Sequence, residues 1–422
     1  MTIVEAKPNN TPHVIVRLPA EGQRPLDEII RNFQQVRPLQ PYSPALIDFC
    51  AAFSQRLGRK ARGMPELQAL AFWMRRTELV RMQASFEALA TERVYFVPRG
   101  LVFHVPPANV DTIFIYSWLM SVLAGNKNII RLSSRETEQM NLILQVLNDL
   151  LAEEQFAALR GNTLMLNYDH DQAITTSLSL AADVRVIWGG DHTVQAIRQS
   201  PLAPHATELT FPDRFSLAAI HAERYLTDDV TRHRGLAEQF FNDAFWFDQM
   251  GCSSPRLLVW VGAEQVVSEA SKIFFSQLQA VTETKGYAVD TATAISKFTF
   301  AMRAALDYPV QSYQRLSNEV MVLPLTQFAE VRGEFCGAGL FYQLRCEELT
   351  EIAPYIERRD QTLSHHGFQQ NELLALVNAL NGRGIDRIVP FGEALNFNRY
   401  WDGYDLLQSF TRRVYVQLGS SA

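Results

Sequence analysis

Between Val94 and Gln199 the chain alternates short β-branched, apolar runs with amphipathic stretches of helical period. That alternation is the strongest constraint on the fold. Parallel strands need crossover connections, and helices that supply them cover both faces of the sheet. VYFVPRGLVFHV over 94–105 reads as a strand, a Pro-Arg-Gly turn and a second strand, which Pro106-Pro107 ends. The uncharged stretch from Thr112 to Asn126 reads as a buried helix closed by Gly125-Asn126. It falls short of the roughly 20 residues a bilayer demands. Asn128–Leu132 reads as a strand. Ser133 and Glu136 then have capping-box spacing ahead of a stripe of Met140, Ile143, Leu144, Leu147, Leu150 and Leu151. A strand at Leu164–Leu166, a helix over 171–180, and a strand at Val184–Trp188 follow, and Gly189-Gly190-Asp191 opens a helix to about Gln199. In such sheets ligands bind outside the carboxyl ends of strands, here Pro106–Asn109, Arg131–Ser134 and Gly189–Asp191.

The flanking chain divides around this core. Residues 1–90 read as mainly helical after the strand HVIVRL and are expected to pack on the domain formed by 91–214. A second α/β unit is expected over 215–390, with strands at Ser216–Ile220, Arg256–Val261, Glu319–Leu323, Leu340–Leu344 and 385–389. Segment 391–422 is expected to return to the first domain or to serve an oligomer contact. A length of 422 residues suits two or three packed units. With 39 Lys plus Arg against 45 Asp plus Glu, the net charge of −6 argues against nucleic-acid binding. Cys50, Cys252, Cys336 and Cys346 are too sparse for a disulfide framework and lack zinc-ligand spacing. The opening MTIVEAKPNN carries no apolar signal core, so a reducing cytoplasm is the expected location.

Cys252 stands apart from the other three. It lies on Gly251-Cys252-Ser253-Ser254-Pro255, between a helix and an apolar strand. Small neighbours leave room for an acyl group, and loop N–H groups can stabilise a thiolate or an oxyanion. A buried free cysteine would also suit the position. Asn109 follows Pro-Pro-Ala at a strand end, where its amide could donate to an oxyanion or simply cap a turn. Gly189-Gly190 is compatible with a dinucleotide or with an ordinary turn, and there is no GxGxxG. The adjacent pair His365-His366 has no partners at metal-ligand spacing, so no metal is expected. Phe241, Phe245, Trp246 and Phe247 could line an acyl tunnel, although aromatic stripes are more often core. Trp401-Asp402-Gly403 could shape a site or a subunit contact.

In order, PRGLVFHVPPANVDTIF, SVLAGNKNIIRLSS, VRVIWGGDHTV and FNDAFWFDQMGCSSPRLLV resemble the aldehyde dehydrogenase superfamily. The nearest resemblance is to its acyl-CoA reductase branch, which includes the fatty-acid reductase subunit of bacterial luminescence. The ending GIDRIVPFGEALNFNRYWDGYDLL is similar to that branch as well, and the resemblance spans about 90–415. It implies an aldehyde dehydrogenase-like α/β fold, with a Rossmann-type cofactor domain and an α/β catalytic domain. It implies Cys252 as nucleophile and Asn109, with the Cys252 N–H, as oxyanion hole. Pro106, Pro107, Arg131, Ser133, Ser134, Gly189, Gly190 and Asp191 fall in its cofactor-binding segments. Arg131 stands where a lysine is usual, and Ser134 where NAD-preferring members carry a glutamate. A glutamate would repel a 2′-phosphate, Ser134 would not, and Arg131 can bind phosphate bidentately. NADP(H) is therefore the expected cofactor. Glu208, in Glu208-Leu209-Thr210-Phe211, is the nearest match to the superfamily's general base, but the motif lacks its glycines.

The resemblance thus implies NADPH-dependent reduction of an acyl thioester, acyl-CoA or acyl-protein, to an aldehyde through acyl-Cys252. It admits an acyl-protein synthetase as partner and implies a homo-oligomer. Two alternatives stay open: a hydrolytic aldehyde dehydrogenase, and a non-catalytic acyl-carrying subunit of a larger complex.

Overall fold

The computed structural model describes residues 12–107 and 111–418. The chain forms two compact units. One holds the chain up to Pro212 together with the chain from Tyr404 onward, and the other is Asp213–Gly403. The segment expected over 391–422 is therefore divided: 391–403 stays with the second unit, and the chain from Tyr404 joins the first.

The first unit is built on five parallel strands. In chain order they are Leu101–Val105, Lys127–Arg131, Thr163–Asn167, Val184–Trp188 and Thr207–Phe211. Across the sheet they run third, second, first, fourth, fifth. The chain order reverses at Leu101–Val105, the topological switch point of a doubly wound sheet. His13–Leu18 adds antiparallel to Thr163–Asn167, and Gly22–Pro25 pairs in turn with it. Both faces are covered, so Val102, Phe103, Ile129, Ile130, Met165, Leu166, Val186 and Ile187 are all buried. The apolar helix Asp111–Leu123 buries Tyr116 and Trp118 completely. No helix of the described residues is long and apolar enough to cross a membrane.

One helix starts later than its sequence suggests. The helix is Glu138–Leu151, and its N-cap is Thr137, whose hydroxyl accepts the Met140 N–H at 3.0 Å. The Ser133 hydroxyl instead accepts the Arg135 N–H at 3.1 Å, and Glu136 pairs with Arg17 at 2.8 Å. Thr411–Tyr415 returns to the first unit as an antiparallel partner of Val94–Pro98. Asn126 ties this return to the core: its amide donates to the Phe410 carbonyl at 2.9 Å and accepts the Arg99 N–H at 2.8 Å.

The second unit has its own seven-stranded sheet. Its order is Gln314–Arg315, Met321–Pro324, Leu340–Cys346, Pro255–Val261, Phe215–His221, Asp360–His366 and Arg387–Pro390. All neighbours are parallel except Gln314–Arg315 with Met321–Pro324. Helices Val230–Ala244 and Glu264–Lys285 pack Phe240 and Phe274 against Ala218, Leu258 and Trp260 on one face. Helices Thr291–Asp307 and Gln370–Leu380 bury Ala301, Ala304 and Leu376 against Leu257, Val259 and Leu363 on the other. Phe241 and Phe245 belong to the first of these cores. They stack at 5.0 Å and meet Tyr287, so these two rings pack in the core.

Candidate active site

In the first unit the central strands bring several of the expected residues to one sheet end. Pro106 and Pro107 follow the first parallel strand, Arg131 ends the second, and Gly189 follows the fourth. These three strands are neighbours at the switch point. Arg131 is half-buried, with its guanidinium 4.7 Å from the centre of the Tyr168 ring and Nη2 3.2 Å from His170 Nδ1. The Ser133 carbonyl accepts from the Asn167 amide at 2.8 Å, and Ser134 is exposed. At Gly189, φ is 155°, and a Cβ would come within 3.0 Å of Thr193 on the helix that follows. A side chain here would adopt a strained φ and push Thr193 aside, so glycine suits this close approach of strand and helix. Gly190 caps the helix Asp191–Arg198, whose leading N–H groups form an anion-favouring end. Asn109 lies outside the described residues.

Glu208 does not fit a catalytic role. Its strand, Thr207–Phe211, pairs in a register that sets Glu208 beside Arg185. Arg185 is 3% exposed and donates through Nε to Glu208 Oε2 at 2.9 Å, while Arg198 Nε holds Oε1 at 2.7 Å. With both oxygens occupied by guanidiniums, the carboxylate balances a buried charge and is not placed to activate water.

In the second unit Cys252 sits at the amino ends of the strands, the opposite end from the ligand-binding rule that orders the first sheet. The chain leaves Val230–Ala244, turns through Trp246–Gln249, and enters the strand Pro255–Val261. Phe247, Asp248 and Gln249 have φ of 56°, 51° and 63°, three consecutive left-handed residues without a glycine. Such a run persists only where surroundings force it. Here the Gln249 side chain, wholly buried, donates to the carbonyls of Pro255 and Leu340 at 2.9 and 3.0 Å and accepts from the Gly339 N–H at 2.9 Å. The Asp248 carbonyl accepts from the Ala338 N–H at 2.9 Å, and a Cβ on Gly337 would lie 2.5 Å from that carbonyl oxygen. The Cys252 carbonyl accepts the Ser216 hydroxyl at 2.7 Å.

Cys252 is half-buried as a residue, with Gln361 Nε2 3.7 Å and Ser253 Oγ 3.9 Å from Sγ. Desolvation by burial pushes the thiol above its ordinary range, and the Asp402 charge adds to that push. The Gln361 and Ser253 hydrogen bonds and Arg387 act the other way. The remaining cysteines are packing residues. Cys50 is fully buried, and burial pushes Cys336 up to about 11 and Cys346 up to about 12. Gln361 and Ser216 carry no sequence signal of a site, and Ser253 and Gln249 are signalled only as members of the Cys252 motif. Gln361 lies on a strand 109 residues after Cys252 and becomes its neighbour only through the sheet order. Asp402, seen in sequence only as part of Trp401-Asp402-Gly403, accepts from Gln361 and pairs with Arg214 at 3.1 Å.

Among the described residues no group of three His, Cys, Asp or Glu is arranged to hold a metal ion, and His366 instead pairs with Asp228 at 2.8 Å.

A family model described as Acyl-CoA reductase (LuxC) matches residues 77–413. A long-chain acyl-protein thioester reductase of Aliivibrio fischeri is 25% identical over 303 residues, covering 70% of this chain and 59% of that relative's length. Among solved structures, methylmalonate-semialdehyde dehydrogenase of Oceanimonas doudoroffii matches with a TM-score of 0.66 at 14% identity, over 98% of this chain and 96% of its own. A NAD-dependent benzaldehyde dehydrogenase of Corynebacterium glutamicum covers the same shares, with a TM-score of 0.61 at 12% identity. A 1-pyrroline-5-carboxylate dehydrogenase of Thermus thermophilus gives 0.64 at 11% identity, over 93% of this chain and 84% of its own. The fold is that of the aldehyde dehydrogenases.

Proposed function

The chain belongs to the acyl-CoA reductase family, and on that footing we propose that it reduces an acyl thioester to the aldehyde through a covalent thioester on Cys252. The observation that carries this reading is the Cys252 loop: a cysteine on a small-residue turn, braced by three left-handed residues, with an amide N–H aimed at its sulfur. The acylation step needs only this chain's groups. The Cys252 thiolate adds to the substrate's carbonyl carbon, forming a C–S bond and an oxyanion. The Cys252 N–H and, by the resemblance, the Asn109 amide donate hydrogen bonds to that oxyanion. The substrate's own C–S bond then breaks, and the leaving thiolate takes a proton from solvent. After reduction of the acyl group, the Cys252 C–S bond breaks, the aldehyde departs, and the thiolate is regenerated.

The switch-point residues fit a nicotinamide dinucleotide. The glycine turn at Gly189 holds close strand–helix packing, the helix at Asp191 offers N–H groups to a pyrophosphate, and Arg131 presents a guanidinium beside an aromatic ring. Bound there, the cofactor would supply a hydride to the acyl carbon. Arg131 and the neutral Ser134 favour NADPH over NADH, because neither repels a 2′-phosphate. The engaged carboxylate of Glu208 also speaks for reduction, which needs no base to activate water. The curated relative acts on an acyl-protein, so a protein-bound acyl donor is proposed beside acyl-CoA.

The test is a series of acyl-CoA thioesters of rising chain length with NADPH and with NADH, following cofactor absorbance and aldehyde. Aldehyde formation with NADPH preferred is expected. Conversion of aldehyde to acid without free CoA, and no thioester reduction, would overturn the reading in favour of a hydrolytic dehydrogenase.

A further inference from the structure

We propose that Gln361 is the positioning residue of the Cys252 thiol, and that Asp402 acts through Gln361 by fixing which way its amide points. The proposal rests on Cys252 as the nucleophile, but not on any particular acyl substrate.

Hydrogen-bond accounting carries the argument. An amide has one accepting oxygen and two N–H donors, and its orientation follows from its partners. Gln361 is fully buried at the second position of the strand Asp360–His366. Its Oε1 accepts the Ser253 hydroxyl at 2.7 Å and the Thr362 hydroxyl at 3.3 Å. Its Nε2 meets a carboxylate oxygen of Asp402, which can only accept. The nitrogen must therefore lie on the Asp402 side, and its second N–H points toward Cys252 Sγ at 3.7 Å. A flipped amide would set its oxygen against the Asp402 carboxylate, whereas the Ser253 and Thr362 hydroxyls could turn to accept, so Asp402 is the group that fixes the orientation.

Asp402 is itself held in an unusual state. It is 2% exposed with φ of 49°, and it follows Trp401, whose ring lies 4.7 Å from the Arg387 guanidinium. Arg214 Nε pairs with its second oxygen at 3.1 Å, and Arg214 donates onward to the Arg358 carbonyl at 2.8 Å. A left-handed aspartate buried with one guanidinium and one amide is costly to build, and such backbone states concentrate where function needs them. The arrangement links Arg214, Asp402 and Gln361 to the sulfur in one chain of bonds. It gives the thiolate a donor while placing a negative charge one residue behind that donor.

Charged groups face the sulfur from several elements. Arg387, on the last strand of the sheet, and Arg256, on the strand after the loop, both favour the thiolate, and Asp213 faces Arg256. Asp402 opposes it, and its own charge is countered by Arg214, with Asp386 and Arg358 beyond. Two single changes therefore have opposite signs. Gln361→Met removes the N–H and keeps the bulk, so the thiolate loses a charge-assisted bond. Asp402→Asn keeps an accepting oxygen for Gln361 and removes the negative charge.

The experiment follows the rate of iodoacetamide alkylation of Cys252 as a function of pH, read by mass spectrometry of its peptide. Circular dichroism confirms the fold of each variant. Gln361→Met should raise the midpoint by about one pH unit and slow acylation by an acyl-CoA at neutral pH about tenfold. Asp402→Asn should lower the midpoint. Opposite shifts are a signature that loosened packing would not give. Unchanged midpoints, or two shifts in the same direction, would overturn the proposal. Alkylation reads the sulfur directly, so absence of thioester reduction in the wild-type protein would count against the proposed activity and leave this test intact.

Discussion

Glu208 shows what a single residue can and cannot reveal. In sequence it is the nearest match to a general base. In the fold it stands opposite Arg185 on the neighbouring parallel strand, in a pairing that sequence spacing does not display. Losing one partner of a buried pair leaves the other charge uncompensated, which costs about 3–5 kcal/mol. Glu208→Ala should thus unfold at lower urea concentration, while folded enzyme keeps its rate of thioester reduction. A large fall in turnover with stability intact would restore Glu208 as a base. Cys252 is the reverse case. Its small-residue setting was readable, so the sequence pointed to it, but Gln361 and Asp402 were not readable as its neighbours. They arrive from strand and loop positions far along the chain. Cys252→Ala should accept no label from a radiolabelled acyl thioester, and label on that variant would sink its role as nucleophile.

At the scale of elements, periodicity located the strands that read as apolar runs, because both sheets bury two faces, but it missed Thr207–Phe211 and Asp360–His366, whose sequences TELTF and DQTLSHH carry polar residues and which bring in Glu208 and Gln361. Ends were harder. Ser133 and Glu136 have capping spacing, but Ser133 closes a local turn and Thr137 caps the helix. Loop bracing was invisible for the same reason as Glu208: its partners are distant. The loop after Arg387–Pro390 is an example. The buried Asp243 carboxylate accepts the N–H groups of Gly392 and Ala394 at 2.8 and 2.9 Å. Leu395 of that loop lies where a Cβ on Gly251 would come within 3.2 Å, so the loop supports the Cys252 turn. Desolvation pushes Asp243 up to about 7 despite those two bonds. An acid with a raised pKa in the fold binds its proton more tightly folded than unfolded. Its contribution is therefore present at low pH and is lost as pH rises from about 4 to about 7. A displacement of that size is worth on the order of 4 kcal/mol. Asp243→Asn should flatten the pH dependence of urea unfolding across that window. Parallel curves for the two proteins would refute the assignment.

For the whole molecule, the useful fact is how the two units divide the residues. Every described residue proposed to hold the cofactor belongs to the first unit, and Cys252, Gln361 and Asp402 belong to the second. The strand order at the switch point was implied by the sequence only through the family resemblance, since alternation predicts a parallel sheet but not which strands are neighbours. The division makes acylation and reduction separable. Arg131 is half-buried and makes its contacts to Tyr168 and His170 within the first unit, so removing it should leave the Cys252 loop as it is. A phosphate-binding guanidinium typically contributes through charge-assisted bonds worth about 1.5–3 kcal/mol, or roughly ten- to a hundredfold in affinity. Arg131→Ala should therefore weaken NADPH binding by that factor and narrow the preference over NADH. It should still take up acyl label from a thioester donor at the wild-type rate, and the labelled form should accumulate when NADPH is limiting. Equal losses in labelling and in NADPH oxidation would mean that the two steps do not divide along the two units.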